Sequence, residues 1–267
     1  MSSNIPETLS LLTEEGNAET LATDTALAKI ETLFSDSPTA SAQTADDSPE
    51  KEDEETAVTT LNGAQTITDD AGKVTDTHTY KDGILEGESR LYDDNGDLSI
   101  LMTFHKGVLH GPYRRLDTGI IQEELVYYQG KIHGLARFYQ DGSLFCEMPY
   151  ENGFSTGEMR YFNPLGKLTL VSNFKNGKAH GVQKTYDDEG NIQSVTSYYE
   201  GQKQGKATTY YPSGAILEEG SYNLDKREGT LITYYENGNV QCVAHYSKDK
   251  LLEIPISFDI KGRELEP

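Results

Sequence analysis

"YKDGILEGESRLYDDNG", residues 80–96, contains no cluster of catalytic residues and no ligand cradle. It returns in altered form as "FHKGVLHGPYRRLDTG" at 104–119, "YQGKIHGLARFYQDG" at 128–142 and "FKNGKAHGVQKTYDDEG" at 174–190. Aligned on one glycine, the series runs Gly63, Gly87, Gly111, Gly134, Gly157, Gly181, Gly205 and Gly229, a period of 23 or 24 residues. A second glycine follows eight or nine residues later, from Gly72 to Gly262. A third precedes the first by four residues, from Gly83 to Gly201. Repetition this regular outweighs any single-residue signal.

Side chains keep the same register. Two residues after the second glycine stands an aliphatic residue: Val74, Leu98, Ile121, Leu144, Leu168, Ile192, Ile216, Val240. Eight residues after it stands a ring: Tyr80, Phe104, Tyr127, Tyr150, Phe174, Tyr198, Tyr222, Tyr246. Five residues after the first-named glycine come Tyr92, Leu116, Tyr139, Phe162, Tyr186, Tyr210, Tyr234 and Phe258. Even spacings inside short segments indicate strands. "DDNG", "YQDG", "YENG" and "KNGK" are hairpin turns in which glycine supplies positive φ. The predicted fold is all-β. It is an elongated antiparallel meander of about seventeen short strands, roughly 75–85 Å long at a strand spacing of ~4.8 Å. Stacking is expected to set each ring beside its equivalent in the next repeat and so build a continuous core.

The pattern "Y.NGK.HG....YY.NG.." resembles the MORN repeat variant of the bacterial YwqK-like antitoxin family. "KNGKAHG", "YQGKIHG" and "YYENGNV" carry the likeness best, and it covers residues 63–262. The resemblance implies a protein-binding inhibitor of antitoxin or immunity type, with a toxin as its partner. MORN repeats associated with phosphoinositide membranes usually carry a Trp and an "HG.G" ending. This chain has no Trp, and Glu, Pro, Leu, Val, Lys or Thr follows the turn glycine. Lipid binding by analogy is therefore not favoured.

Composition divides the chain. Acidic residues number 44 against 23 basic, a net charge of −21. Residues 1–56 hold 14 acids and 2 bases, a net of −12, and one aromatic, Phe34. Such a segment cannot bury enough apolar surface to offset its ordering entropy, so disorder is expected. A short helix is predicted near 25–34, where Leu27, Ile30 and Phe34 share a helical face behind Thr25. The expected organisation is a tail over 1–56, the array over 57–262 and a C-terminal end over 263–267. Atypical end units, with Thr68 in place of a ring and Asp249, Glu253 and Pro255 in the last unit, read as caps. The negative charge argues against nucleic acid as a partner. With neither a signal segment nor a spanning run in view, the expected location is cytoplasmic.

Candidates for chemistry are few. His110, His133 and His180 each precede a turn glycine, but equivalent positions lie roughly 10 Å apart across two strands, too far for one metal ion. Cys146 and Cys242 are equivalent residues four repeats apart, beyond disulfide reach, and fit a reducing compartment. No catalytic set, cofactor motif or phosphate-cradling loop is present, and the expectation is a non-enzyme without cofactors. One ladder stands out. Arg90, Arg114, Arg137, Arg160 and Lys184 fall three residues after the glycine in five consecutive repeats. By strand parity they share a face with the rings two residues on. They form either a basic, aromatic-flanked stripe for an acidic partner, or a row of stems covering rings with heads on Glu88 and Glu158. The stripe also admits phosphoinositide headgroups, for a peripheral membrane or exported protein. The acidic tail is a candidate to occupy a basic site on the partner or to fold back over this ladder. Tyr211 and Tyr235, second members of tyrosine doublets, lie off the ring face and are either further binding candidates or filler on a half-buried second face.

Overall fold

Two cross-strand pairs account for the four sequence columns. Each first-named glycine lies opposite the ring of its own hairpin, from Gly63 with Tyr80 and Gly87 with Phe104 to Gly229 with Tyr246. The residue five positions on lies opposite the aliphatic one: Tyr92 with Leu98, Tyr139 with Leu144, Tyr210 with Ile216. A period-two strand places both pairs at fixed points along one hairpin, so each repeat folds on the same register. The computed structural model describes residues 60–266, which fall in a unit beginning at Thr60. The readings made for residues 1–56, disorder and a helix near 25–34 included, lie outside the described residues.

The described residues form an elongated all-β antiparallel meander in which hairpin follows hairpin and consecutive hairpins pair along the chain. Among the described residues there are twenty-two strands, Gly63–Thr68 the first and Ile256–Ser257 the last. Five interruptions occur, four at the residue just before the bulge glycine and one, in the last unit, over 252–255 around Glu253. Lys131–Ile132 followed by Gly134–Gln140 is one case. Joining these gives the expected number of about seventeen.

The bulge explains the glycine. Opposite the strand Leu98–His105, Met102 pairs with Tyr113 and Phe104 with Leu109, so His110, Gly111 and Pro112 face the single Thr103. Gly111 has φ 109°, a conformation costly for residues with a Cβ. A Cβ there would meet Thr103 Cβ at 3.4 Å, an ordinary contact, so backbone conformation rather than space selects glycine. The polar side chain above the bulge ties it: Thr79, Thr103 and Asn173 donate to the carbonyls of Glu88, Pro112 and Val182 at 2.9, 3.2 and 3.0 Å.

The core differs from the expected stack of rings. Its largest fully buried side chains are Met102, Cys146 and Ser89, and of the ring column only Phe104 and Tyr127 are buried. Equivalent rings are two strands apart, and the intervening strand places Leu109 against Phe104 and Ile132 against Tyr127. The inner face is therefore a mixed row. Ser89, Met102, Tyr113, Leu125, Ala136, Met148, Met159 and Ser172 follow one another across the sheet, all buried.

Candidate functional site

With Ser89 and Leu91 turned inward, Arg90 between them points to the outer face. The same alternation sends Arg114, Arg137 and Arg160 outward beside buried Tyr113, Ala136 and Met159. Register then places the ladder in one cross-sheet row. Its order is Thr77, Arg90, Leu101, Arg114, Glu124, Arg137, Glu147, Arg160, Val171, Lys184. All five cations are thus brought onto one face.

The row is not purely basic, because return strands insert Glu124 and Glu147 between consecutive arginines. Arg114 Nε donates to Glu124 Oε1 at 3.0 Å and Arg137 Nε to Glu147 Oε1 at 3.1 Å. Arg160 pairs with Glu158 at 2.8 Å, and Arg90 pairs with Glu88. Tyr139 Oη completes the row by donating to Glu124 Oε2 at 2.7 Å. That hydrogen bond, with help from Arg114, holds the Glu124 carboxyl below the usual carboxylate range. Tyr139 is pushed up to about 12 by burial and by the same bond. The arginine side chains remain 42–54% exposed, so each glutamate fixes a head that solvent still reaches. Lys184 has no ion pair among the described residues. Glu124 and Glu147 carried no repeat-wide signal in the sequence. They follow only from knowing which residue of each return strand faces the ladder.

Tyr211 and Tyr235 lie elsewhere. They occupy the loop position where Asp93, Asn163, Asp187 and Asp259 accept backbone N–H groups two and four residues on. Each tyrosine reaches instead to the next repeat. Tyr211 Oη donates to the Tyr234 carbonyl at 2.8 Å and Tyr235 Oη to that of Phe258 at 2.9 Å. Both are half-buried inter-repeat ties.

The histidines are drawn into ring contacts rather than a metal centre. His110 and His133 flank Tyr128, with centroids 5.0 and 5.8 Å away, and His180 lies 5.1 Å from Tyr199. Among the described residues, no group of three or more His, Cys, Asp or Glu is placed to hold a metal ion. Cys146 and Cys242 are free thiols. Burial, with the Glu147 charge beside it, pushes the Cys146 thiol up to about 12, which leaves it unreactive at neutral pH. Among the described residues, no helix is long and apolar enough to cross a membrane.

Comparison with known proteins adds a repeat identity. Residues 85–106, 179–200, 203–224 and 227–248 match the MORN repeat variant. A comparison with curated proteins found no match. Among solved structures, a GtfA/B complex bound to UDP and GlcNAc shares 16% identity over 42% of this chain and 22% of its own, with a TM-score of 0.18. A TcdB2-TccC3-Cdc42 structure shares 12% identity over 73% of this chain and 12% of its own, also at 0.18. This chain therefore spans under a quarter of either one, and likenesses so distant carry no argument about its activity. The four matched segments show units similar to the MORN repeat variant, and the units between them share their register.

Proposed function

We propose that this chain is a non-enzymatic module that binds another protein through the outer face of its repeat array, as an inhibitor of antitoxin or immunity type. The observation that carries the reading is the row Arg114–Glu124–Arg137–Glu147–Arg160. Its guanidinium groups are held by hydrogen bonds yet half exposed, so little side-chain freedom is lost on docking. Guanidinium heads fixed in this way suit carboxylates on a protein, where geometry gives specificity. An anionic lipid surface responds chiefly to net charge, and carboxylates already offset these cations.

The test uses the full chain carrying the double substitution Arg114→Glu and Arg137→Glu. Protein recovered with the wild-type chain at low salt should be lost with the variant, and its binding should weaken as salt rises. Thermal melting should barely change, because exposed ion pairs each contribute only about 0.2–1 kcal/mol. Flotation of the wild-type chain, but not the variant, with phosphoinositide vesicles would overturn the reading in favour of a membrane surface.

A further inference from the structure

The outer face has a second feature, one step along the strands from the arginine row. On the strand Ile120–Tyr128, Glu124, Val126 and Tyr128 point outward while Leu125 and Tyr127 are buried. Pro112 lies opposite Val126, and Leu135 lies opposite Pro149. Val126 is 43% exposed, Tyr128 50% and Leu135 38%. His110 and His133 stand on either side of the Tyr128 ring. Two neighbouring repeats thus present contiguous apolar and aromatic surface to solvent.

The fold does not require it. At the position of Val126 and Pro149, other repeats carry Thr79, Thr103, Asn173, Ser197 and Ser221. Three of these side chains donate to the carbonyl across the bulge. Val126 and Pro149 have no side-chain donor and forgo that bond. At the position of Pro112 and Leu135, four other repeats carry the polar Glu88, Glu158, Lys206 and Thr230, and two carry Ala64 and Val182. An apolar choice that surrenders a hydrogen bond and faces water is unfavourable for the isolated chain. It becomes favourable when a partner covers it.

Charge selects the partner. Arg114 and Arg137 border the patch with their heads 49% and 42% exposed, while Glu124 and Glu147 beneath them are 24% and 19% exposed. Each arginine binds its glutamate through Nε, leaving donors of the five-donor fork to spare. We propose that the patch centred on Val126, Tyr128 and Leu135 is the docking site for an acidic protein segment. An apolar side chain of that segment seats against Tyr128, and its carboxylates meet Arg114 and Arg137. This inference rests on the protein-binding reading above and specifies its site.

The probe is a displayed library of random twelve-residue peptides selected on the full chain. Two variants serve as counter-targets. Val126→Thr with Leu135→Glu installs residue types that other repeats already carry, and Tyr128→Asn copies Asn223. All are therefore expected to fold with unchanged melting. Enriched peptides should combine an aromatic or large aliphatic residue with Asp or Glu, and should bind either variant at least tenfold more weakly. Peptides that ignore both variants but are lost with Arg114→Glu would overturn the patch while leaving the protein-binding reading intact. Self-association of the wild-type chain in sedimentation, abolished by Val126→Thr with Leu135→Glu, would overturn it in favour of a second copy. No peptide above background, with phosphoinositide vesicles capturing the chain, would overturn both readings.

Discussion

From Leu85 to Leu170 the inner face is closed by apolar side chains, whereas beyond Leu170, among the described residues, the only buried apolar residue is Ala244. The same columns are filled differently in the two regions. Next to the ring stand Leu85, Leu109, Ile132 and Ser155 in the first region, and Ala179, Lys203, Arg227 and Leu251 in the second. The cations reach the ring of the following hairpin, Lys203 over Tyr222 at 5.3 Å and Arg227 over Tyr246 at 4.2 Å. Hydrophobic burial there gives way to stems and charges on aromatic faces. Three consecutive matches to the repeat model fall at 179–248, while 107–178 has none. The unmatched stretch holds four members of the outer row between Arg114 and Glu147, Arg160, and the exposed patch. One backbone register therefore tolerates two kinds of core. The sequence freedom won by a well-buried inner face is used on the outer face of the same repeats.

The largest effect expected from this contrast is on stability. Met102→Ala removes a fully buried side chain and should cost about 2–5 kcal/mol. Leu231→Ala, in the same cross-sheet row but half-buried, should cost about 1–2 kcal/mol. Urea denaturation of both variants measures the difference, and equal losses would break the comparison.

Acid should act next, on the strand Val74–Lys81 that leads into the first region. His78 is buried with neither ring nitrogen hydrogen-bonded among the described residues. Burial holds its pKa below the ordinary histidine value of 6.5, against the opposing charge of Asp76. The folded state then takes up its proton less readily than the unfolded chain. Stability is complete above pH 6.5 and falls as pH drops through that value toward the lower folded pKa. Melting temperature should decline in this window, and His78→Gln should flatten the decline. Hydrogen exchange should place the loss in the strands Val74–Lys81 and Ile84–Tyr92. A profile unchanged by His78→Gln would detach the effect from the inner face.

The smallest effect belongs to the second region. Arg227→Ala removes a contact with Tyr246 and an ion pair with Asp249 at 3.1 Å, and should cost about 1 kcal/mol. Arg227→Leu, the residue type at 85 and 109, should recover most of that loss. If Leu destabilises as much as Ala, charge rather than ring coverage sustains this half.

Much of the fold could be read before any coordinates, because eight units repeat one error-correcting pattern. A glycine opposite a ring and a second ring opposite an aliphatic residue appear as columns at fixed spacing. The pairing of Gly87 with Phe104 is the spatial form of that spacing. The pairs Arg90–Glu88 and Arg160–Glu158 were equally legible, since two residues on one strand share a face. Glu124 and Glu147 were not, for their side of the row depends on return-strand register. The exposure of Val126 and Leu135 was hidden for the same reason: hydrophobic residues in a strand do not announce which face they take. Tyr211 and Tyr235 read equally as interface tyrosines or as filler of a half-buried second face, and a hydrogen bond to the next repeat is invisible from a doublet.

By itself, then, the sequence determined the period, the all-β class, the turns and the shared face of the five cations. Each of these follows from spacing within about two dozen residues, the range over which strand alternation and turn chemistry act. The tertiary structure alone decided that Met102, Cys146 and Ser89 would be fully enclosed in a core shared with leucines and rings, and that glutamates would interleave the arginines. It also decided that an apolar patch would be left in water beside them. Those outcomes depend on which residues of different hairpins meet across the sheet. The bulge at each glycine sets that register, and no spacing along a single strand encodes it.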